Sequence, residues 1–386
     1  MGELVSRKAW SRLHLWLGLA SGLIFALVCV SGALIAFTEE TLNVVNARHL
    51  VVQERSAPRA SIDSVLARYA KIHPDEKVMV VNQYRASNRT IDLFSAQLKP
   101  GTDDEYENYK MVYADPYTGE ILHVDRHTLM IIVLVVFFHT TLMLGHFGHE
   151  VIRWSTLVFA IQLVSGIAIW WPRNRAAWKS SFTFLWSAGP KRRLFDAHRV
   201  LGIWLSAALL LMVGTALVMS FSWFAKPVVA LFGGEPSLVH GHDEEHPVER
   251  REEGTPVAYD VLFDRIWAAN PRSNQVTLTM PYHDSIAKLA VRVHDRETFL
   301  NFAVGSPSEI DRMDASFDNS PEAQAEARNA RIYAVNLLLH MGFWGGSITK
   351  VLYFLIGLAG ASLPVTGFLL WRSRRRRSKG NEGAQA

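Results

Sequence analysis

The sequence predicts a membrane α-helical protein: four transmembrane helices set out as two parallel two-helix repeats, with two small α+β insertions outside the membrane. Three observations predict it. Four stretches, 13–37, 151–171, 200–224 and 351–371, are apolar over about 20 residues, the length that crosses a bilayer core. Lys and Arg cluster at one border of each stretch. Two internal offsets lay the first half of the chain on the second.

Composition bounds the function classes. Apolar residues make up 49% and charged residues 20% of the chain, richer in apolar side chains than a soluble domain needs. The net charge of +4 is concentrated in "RSRRRRSKG", "PRNRAAWK" and "GPKRR", each bordering an apolar run. Flanking topology signals explain all three, and no nucleic-acid partner is expected. The single cysteine, Cys29, lies inside the first apolar stretch, so no disulfide framework or cysteine metal cage can form within the chain.

The elements follow in order. Residues 1–40 carry the first span; its apolar run is too long for the core of a cleaved signal and reads as a retained helix. Residues 41–127 form the first insertion, where "KVMVVNQYRASNRTIDLFSA" alternates like strands and "YKMVYADPYTGEILHV" reads as strand, turn, strand. Residues 128–175 hold a short apolar helix bearing His139 and then the second span. One continuous helix from His139 to Trp170 would be about 46 Å long, well beyond the roughly 30 Å hydrocarbon core. Gly145 and Gly148 therefore predict a break. The short helix lies at, or dips into, the outer interface.

Residues 176–197 form a basic loop, 198–224 the third span and 225–331 a second insertion with "QVTLTMPY" and "IAKLAVRVH" as strands. Residues 332–375 repeat the short helix and span, and 376–386 form a basic tail. By the positive-inside rule both termini and the basic loop face the cytoplasm and both insertions face outward. The polar stretch "GGEPSLVHGHDEEHPVERREEGTP" reads as a flexible loop; His240, His242 and His246 within it are weak metal candidates. Tryptophans at the span ends fit an aromatic belt.

The repeat gives the histidines their meaning. An offset of 201 places His139 on His340, Gly145 on Gly346, Ser165-Gly166 on Thr366-Gly367, Trp170 on Trp371 and Arg173 on Arg374. An offset of 184 places His14 on His198, Leu17-Gly18 on Leu201-Gly202, Ser31 on Thr215 and Phe37 on Phe221. A single histidine at a helix end is ordinarily interfacial, with its polar tip in water. Four that recur under two offsets predict facing pairs about one axis along the membrane normal. Two imidazoles across an apolar gap suit a haem iron with two axial histidines. His14 with His198 then holds a cytoplasmic-side haem and His139 with His340 an outer one, two b-type haems in all. Zinc, which prefers four ligands, fits less well. His146 has no histidine counterpart and is the substitute candidate if His139 is not a ligand.

"HLWLG" and "HRVLG" at the inner span starts, "FFHTTLMLGHFG" followed by "GIAIWWPR", "LLLHMGFWGG" followed by "VTGFLLWRSRRR", and "YADPYTGEIL" together resemble the PepSY-associated transmembrane family. The likeness covers nearly the whole chain. It is weaker in 225–331, where the turn of "YADPYTGEIL" is not legible. Within the family the chain is similar to the dihaem ferric-siderophore reductases of the bacterial inner membrane. The resemblance implies periplasmic PepSY-like insertions and electron transfer through two b-type haems to a ferric siderophore, releasing Fe(II). No dinucleotide fingerprint appears, so the electron donor is expected to be a membrane quinol or a separate protein. The alternatives are a siderophore- or peptide-binding accessory and a PepSY-type regulatory protein without redox activity.

Overall fold

In the computed structural model, residues 6–102, 106–172, 174–239, 255–281, 287–298 and 305–382 are described. The helices are α1 (Arg7–Ile35), α2 (Thr38–Val45), α3 (Ile62–Ile72), α4 (His127–Thr141), α5 (Gly145–Trp170), α6 (Arg175–Ser181), α7 (Pro190–Ser220), α8 (Ser222–Leu231), α9 (Tyr259–Ala269), α10 (Pro321–Met341) and α11 (Gly346–Glu382). The strands are β1 (Glu76–Tyr84), β2 (Ile91–Leu98), β3 (Tyr106–Ala114), β4 (Ile121–Asp125), β5 (Gln275–Thr279), β6 (Lys288–His294) and β7 (Ser306–Asp311). Residues 240–254, with His240, His242 and His246, and Arg173 lie outside the described residues.

The chain divides into two compact units. The helical unit takes Met1–Phe37, Val135–Phe221 and Leu338–Ala386; the sheet unit takes Thr38–Leu134 and Ser222–Leu337. In the helical unit α1 and α7 each pack against both α5 and α11. Among the described residues four helices, α1, α5, α7 and α11, are long and apolar enough to cross a membrane. Small side chains make their contacts. On α1, Ser21, Gly22, Cys29, Ser31 and Ala33 are buried while Leu23 and Leu34 are exposed. A Cβ on Gly22 would lie 3.0 Å from Pro364 Cβ, and one on Gly357 would lie 3.1 Å from the Cys29 carbonyl. Such approach is what helices need where lipid is as apolar as their own side chains.

At 15 residues, α4 is about 22 Å long and too short to span. The break after it falls at 142–145, where Leu142 (φ 50°), Met143 (φ 61°) and Gly145 (φ 57°) are left-handed. Gly148 is not part of the break, contrary to expectation. It lies inside α5, and a Cβ there would sit 1.7 Å from the Thr141 carbonyl oxygen, so its role is to let the end of α4 close on α5. In the second half Gly342 (φ 75°) and Gly346 (φ 65°) make the corresponding break. The third span also ends earlier than expected. Phe221 is extended at φ −135°, and α8 begins a new helix at Ser222.

The two insertions are not separate small domains. They share one sheet of order β4-β3-β2-β1-β5-β6-β7, joined where β1 pairs antiparallel with β5 from Val80↔Thr279 to Tyr84↔Gln275. Pairing removes two apolar edges that would each be an aggregation site. About this seam the order α3-β1-β2-β3 is repeated by α9-β5-β6-β7. One core, including Val65, Val81, Leu93, Ile266, Leu278 and Val291, serves both. The two helix starts cap each other. Asp63 accepts the N–H groups of Tyr259 (3.1 Å) and Asp260 (3.0 Å), and Asp260 accepts from the Ile62 N–H (2.7 Å) and the Ser61 hydroxyl.

The turn that is illegible in the second insertion is present. In the first, Asp115 N–H donates to the Glu120 carbonyl (2.8 Å), Gly119 N–H to the Asp115 carbonyl (2.9 Å), and Asp115 Oδ1 accepts from Tyr117 N–H (2.8 Å). In the second, Asp311 N–H donates to Ser316 (2.8 Å), Ala315 N–H to Asp311 (3.1 Å), and Asp311 Oδ1 accepts from Met313 N–H (2.6 Å). Ala315 (φ 59°) takes the left-handed place of Gly119 (φ 68°), which erases the sequence signature. Ala315→Gly should stabilise the sheet unit by about 0.5–1 kcal/mol by removing the left-handed penalty. Gly119→Ala, whose Cβ would meet Val65 Cγ2 at 3.1 Å, should destabilise it by about 1–2 kcal/mol. Thermal unfolding of the full-length protein in detergent measures both.

Candidate functional site

Four histidines meet in two pairs within the helical unit. His14 on α1 and His198 on α7 have ring centres 6.2 Å apart with planes at 75°. His139, in the last turn of α4, and His340, in the last turn of α10, have ring centres 6.3 Å apart at 58°.

Each ring is held through the same nitrogen by the same kinds of partner. His14 Nδ1 lies 3.2 Å from the Gln162 carbonyl and 3.0 Å from Ser165 Oγ. His198 Nδ1 lies 3.1 Å from the Leu363 carbonyl and 2.9 Å from Thr366 Oγ1. The outer partners of the sequence argument behave alike: His139 Nδ1 reaches the Val28 carbonyl and Ser31 Oγ, both at 3.1 Å, and His340 Nδ1 reaches the Met212 carbonyl and Thr215 Oγ1, both at 3.0 Å. The acceptors are related by the offsets that relate the histidines, 201 for the first two and 184 for the second two.

This pattern fixes the tautomer. A carbonyl oxygen only accepts, so Nδ1 carries the proton in every ring. The hydroxyls agree. Ser165 donates to the Gln162 carbonyl (2.8 Å), Thr366 to Leu363 (2.9 Å), Ser31 to Leu27 (2.9 Å) and Thr215 to Met212 (2.8 Å). Each hydroxyl proton is thereby used on its own helix, leaving the oxygen to accept from histidine. Nε2 is then the lone-pair nitrogen of all four rings, and a metal-ligating histidine is oriented in this way through its other nitrogen.

Glycine makes the room. A Cβ on Gly166 would lie 3.1 Å from His14 Cε1, on Gly367 3.3 Å from His198 Cε1, and on Gly32 2.9 Å from His139 Cε1. The halves differ at Gln162, whose Nε2 donates to the His14 carbonyl (2.9 Å) and whose Oε1 is buried without a partner. Its counterpart is Leu363.

The spacing can be tested against an iron porphyrin. Imidazole binds first-row metals at about 2 Å, and a ring nitrogen lies roughly 1.1 Å from its ring centre, so a linear imidazole–metal–imidazole unit has ring centres about 6 Å apart. Both pairs have that separation, the needed tautomer and an apolar helical surround, so the residues fit the group. Among the described residues no group of three or more His, Cys, Asp or Glu side chains is gathered to hold a metal ion.

The remaining candidates lie elsewhere. His146 is exposed in the first turn of α5, and the ring facing His340 is that of His139. His149 approaches Glu150 at 3.7 Å. His49 and His123 stack on each other at 4.0 Å in the sheet unit. Trp16, Trp154, Trp171, Trp204 and Trp344 are exposed on or beside the apolar helices.

Sequence reasoning passed over the tethers. Ser31/Thr215 and Ser165/Thr366 were visible as repeated positions, but recurrence does not reveal that a hydroxyl on one helix faces an imidazole on another. Buried Asp196, two residues before His198, was also passed over. It accepts from Arg192 (3.0 Å) and Arg199 (2.9 Å) and fixes the start of α7.

Four helices long and apolar enough to cross a membrane make this a multi-pass membrane protein, and its histidines face each other in two pairs. The chain belongs to the PepSY-associated TM region family, which matches residues 11–374. No curated protein matches the chain.

Gly166→Val should push the His14 ring aside and, for a chain whose two histidine pairs each ligate a haem, lower the haem content of purified protein from two per chain to one. Gly214→Val, where an added Cβ meets open space, should leave the content unchanged. Pyridine haemochrome assay distinguishes these outcomes.

Proposed function

We propose that this chain is a transmembrane dihaem electron-transfer protein that reduces ferric siderophore, Fe(III) to Fe(II), in the bacterial periplasm for iron release and assimilation. The observation that carries the reading is the shared Nδ1 tether of four histidines in two pairs. A structural or purely binding protein has no use for four half-buried imidazoles presenting the same lone pair.

His14 and His198 would hold one b-type haem, His139 and His340 the other. Each bound haem supplies a one-electron Fe(III)/Fe(II) couple whose potential responds to axial ligands and their hydrogen bonds. The Nδ1–H bonds fix ring rotation and raise the basicity of Nε2, which favours ligation. Along α1, His14 and the turn Val28–Ser31 that tethers His139 are about 21–26 Å apart, so the two levels stand near opposite faces of a roughly 30 Å core. That spacing suits electron movement across an insulating layer. The apolar helices exclude water from both levels.

The basic clusters at 7–12, 174–193 and 372–379 share the His14/His198 end of the chain's spans. The positive-inside rule then puts that end, with both termini, at the cytoplasmic face of the inner membrane. The insertions 41–127 and 225–331 are periplasmic by the same rule. The ferric siderophore as acceptor rests on the family resemblance, and a membrane quinol or a separate protein is the donor.

Purified protein should carry two haems. His14→Ala and His198→Ala should each lose the same centre, His139→Ala and His340→Ala the other, and His146→Ala neither, read by haem content and the split α-band. Chemically reduced protein should be reoxidised by ferric siderophore in stopped flow. A colourless protein from haem-replete cells would remove the redox reading and leave the accessory or regulatory ones. Full haem content without reoxidation by any ferric chelate would remove the substrate.

A further inference from the structure

One cleft in the helical unit is used by none of the chemistry above. It measures about 490 Å³ and lies between the start of α7 and the end of α11, lined by Gly189, Lys191, Arg192, Phe195, Leu370 and Arg374. Three cations rim it, and Phe195 and Leu370 supply an apolar floor. No His, Asp or Glu lines it.

The charge arrangement is unfavourable on its own. The N-terminus of a helix carries about half a positive charge, which acidic first-turn residues normally offset. The first turn of this 31-residue helix has no acidic residue and no side-chain cap; Pro190 is followed by Lys191, Arg192 and Arg193. Arg374 adds a cation from a second helix. Asp196 offsets Arg192 (3.0 Å) and Arg199 (2.9 Å), which leaves Lys191, Arg374 and the helix end as the uncompensated positive charge at the opening. Positive dipole end and cations converge on an opening that an anion would fill with favourable energy.

We propose that this cleft binds the headgroup of an anionic phospholipid, its phosphate among Lys191, Arg192 and Arg374 and an acyl chain along Phe195 and Leu370. Basic clefts between spans on the positively flanked side are where such headgroups are held. A quinol fits less well. Its oxidation releases protons, and the lining side chains offer donors without a group to accept them. The site does not depend on haem, so it stands or falls separately from the redox reading.

Native mass spectrometry of the intact protein, titrated with cardiolipin, phosphatidylglycerol and phosphatidylethanolamine, tests this. The two anionic lipids should be retained and the zwitterionic one lost at equal activation energy. Lys191→Gln with Arg374→Gln, leaving Arg192 to Asp196, should weaken anionic-lipid binding about thirtyfold, roughly fivefold per cation. Gly189→Phe alters no charge and is sterically tolerated, since an added Cβ at Gly189 meets open space; it should weaken binding by filling the cleft. This variant keeps the test decisive if the double neutralisation fails to fold. Neutralising Arg376, Arg377 and Lys379 instead should change affinity less than twofold by the same measure. The proposal is overturned if that tail variant loses as much lipid as the cleft variants, if Gly189→Phe retains full affinity, or if glycerol phosphate without acyl chains displaces the lipid.

Discussion

Everything in the helical unit depends on one constraint: a polar group among apolar helices must find its hydrogen bond inside the protein. Each histidine meets it by donating Nδ1–H to a carbonyl and a hydroxyl of the neighbouring helix. The hydroxyls meet it by donating backwards along their own helices. The carbonyl accepts an extra bond that its helix geometry leaves open to it. The solution fixes ring tautomer and rotation together, so the lone pair of each ring is presented in a set direction before any ligand arrives. Packing serves the same end, because Gly166, Gly367 and Gly32 bring helix backbone against the imidazole edge where a side chain would force the ring away.

The solution occurs four times at positions related by the offsets of 201 and 184, and the departures from it show where the two halves differ. Phe37 and Phe221 are equivalent. Phe221 is faced by the Arg153 guanidinium at 4.7 Å, and Phe37 by Phe354 at 5.4 Å. Arg153 and Phe354 are themselves related by the offset of 201. Gln162 braces the His14 backbone where Leu363 does nothing comparable for His198. Charge and hydrogen bonding are therefore unequal between the two halves although the rings are held alike.

The sheet unit follows the same logic with a different outcome. Each insertion brings one helix and three or four strands, too few to bury both faces of its first strand. Joining β1 to β5 closes that edge, and the reciprocal Asp63 and Asp260 caps tie the helix starts across the seam. Two insertions separated in the chain by residues 135–221 thus form one folding unit.

The sequence by itself determined the four spans, the short apolar helix before the second of them, most strand positions and the identity of the four histidines. These are written in local periodicity, in span length against bilayer thickness, and in residues that recur at fixed offsets. Tertiary structure alone decided the rest. The fusion of the insertions into one sheet depends on which edges meet, and no local pattern records that. The second turn was hidden because Ala315 holds a left-handed conformation usually left to glycine, which the surrounding hydrogen bonds enforce. Gly148 read as a breaker because sequence shows a missing side chain but not the Thr141 carbonyl that occupies its place. The hydroxyl tethers lay in plain view as repeated Ser and Thr, yet a hydrogen bond is a relation between two helices, and only their packing brings donor and acceptor within reach.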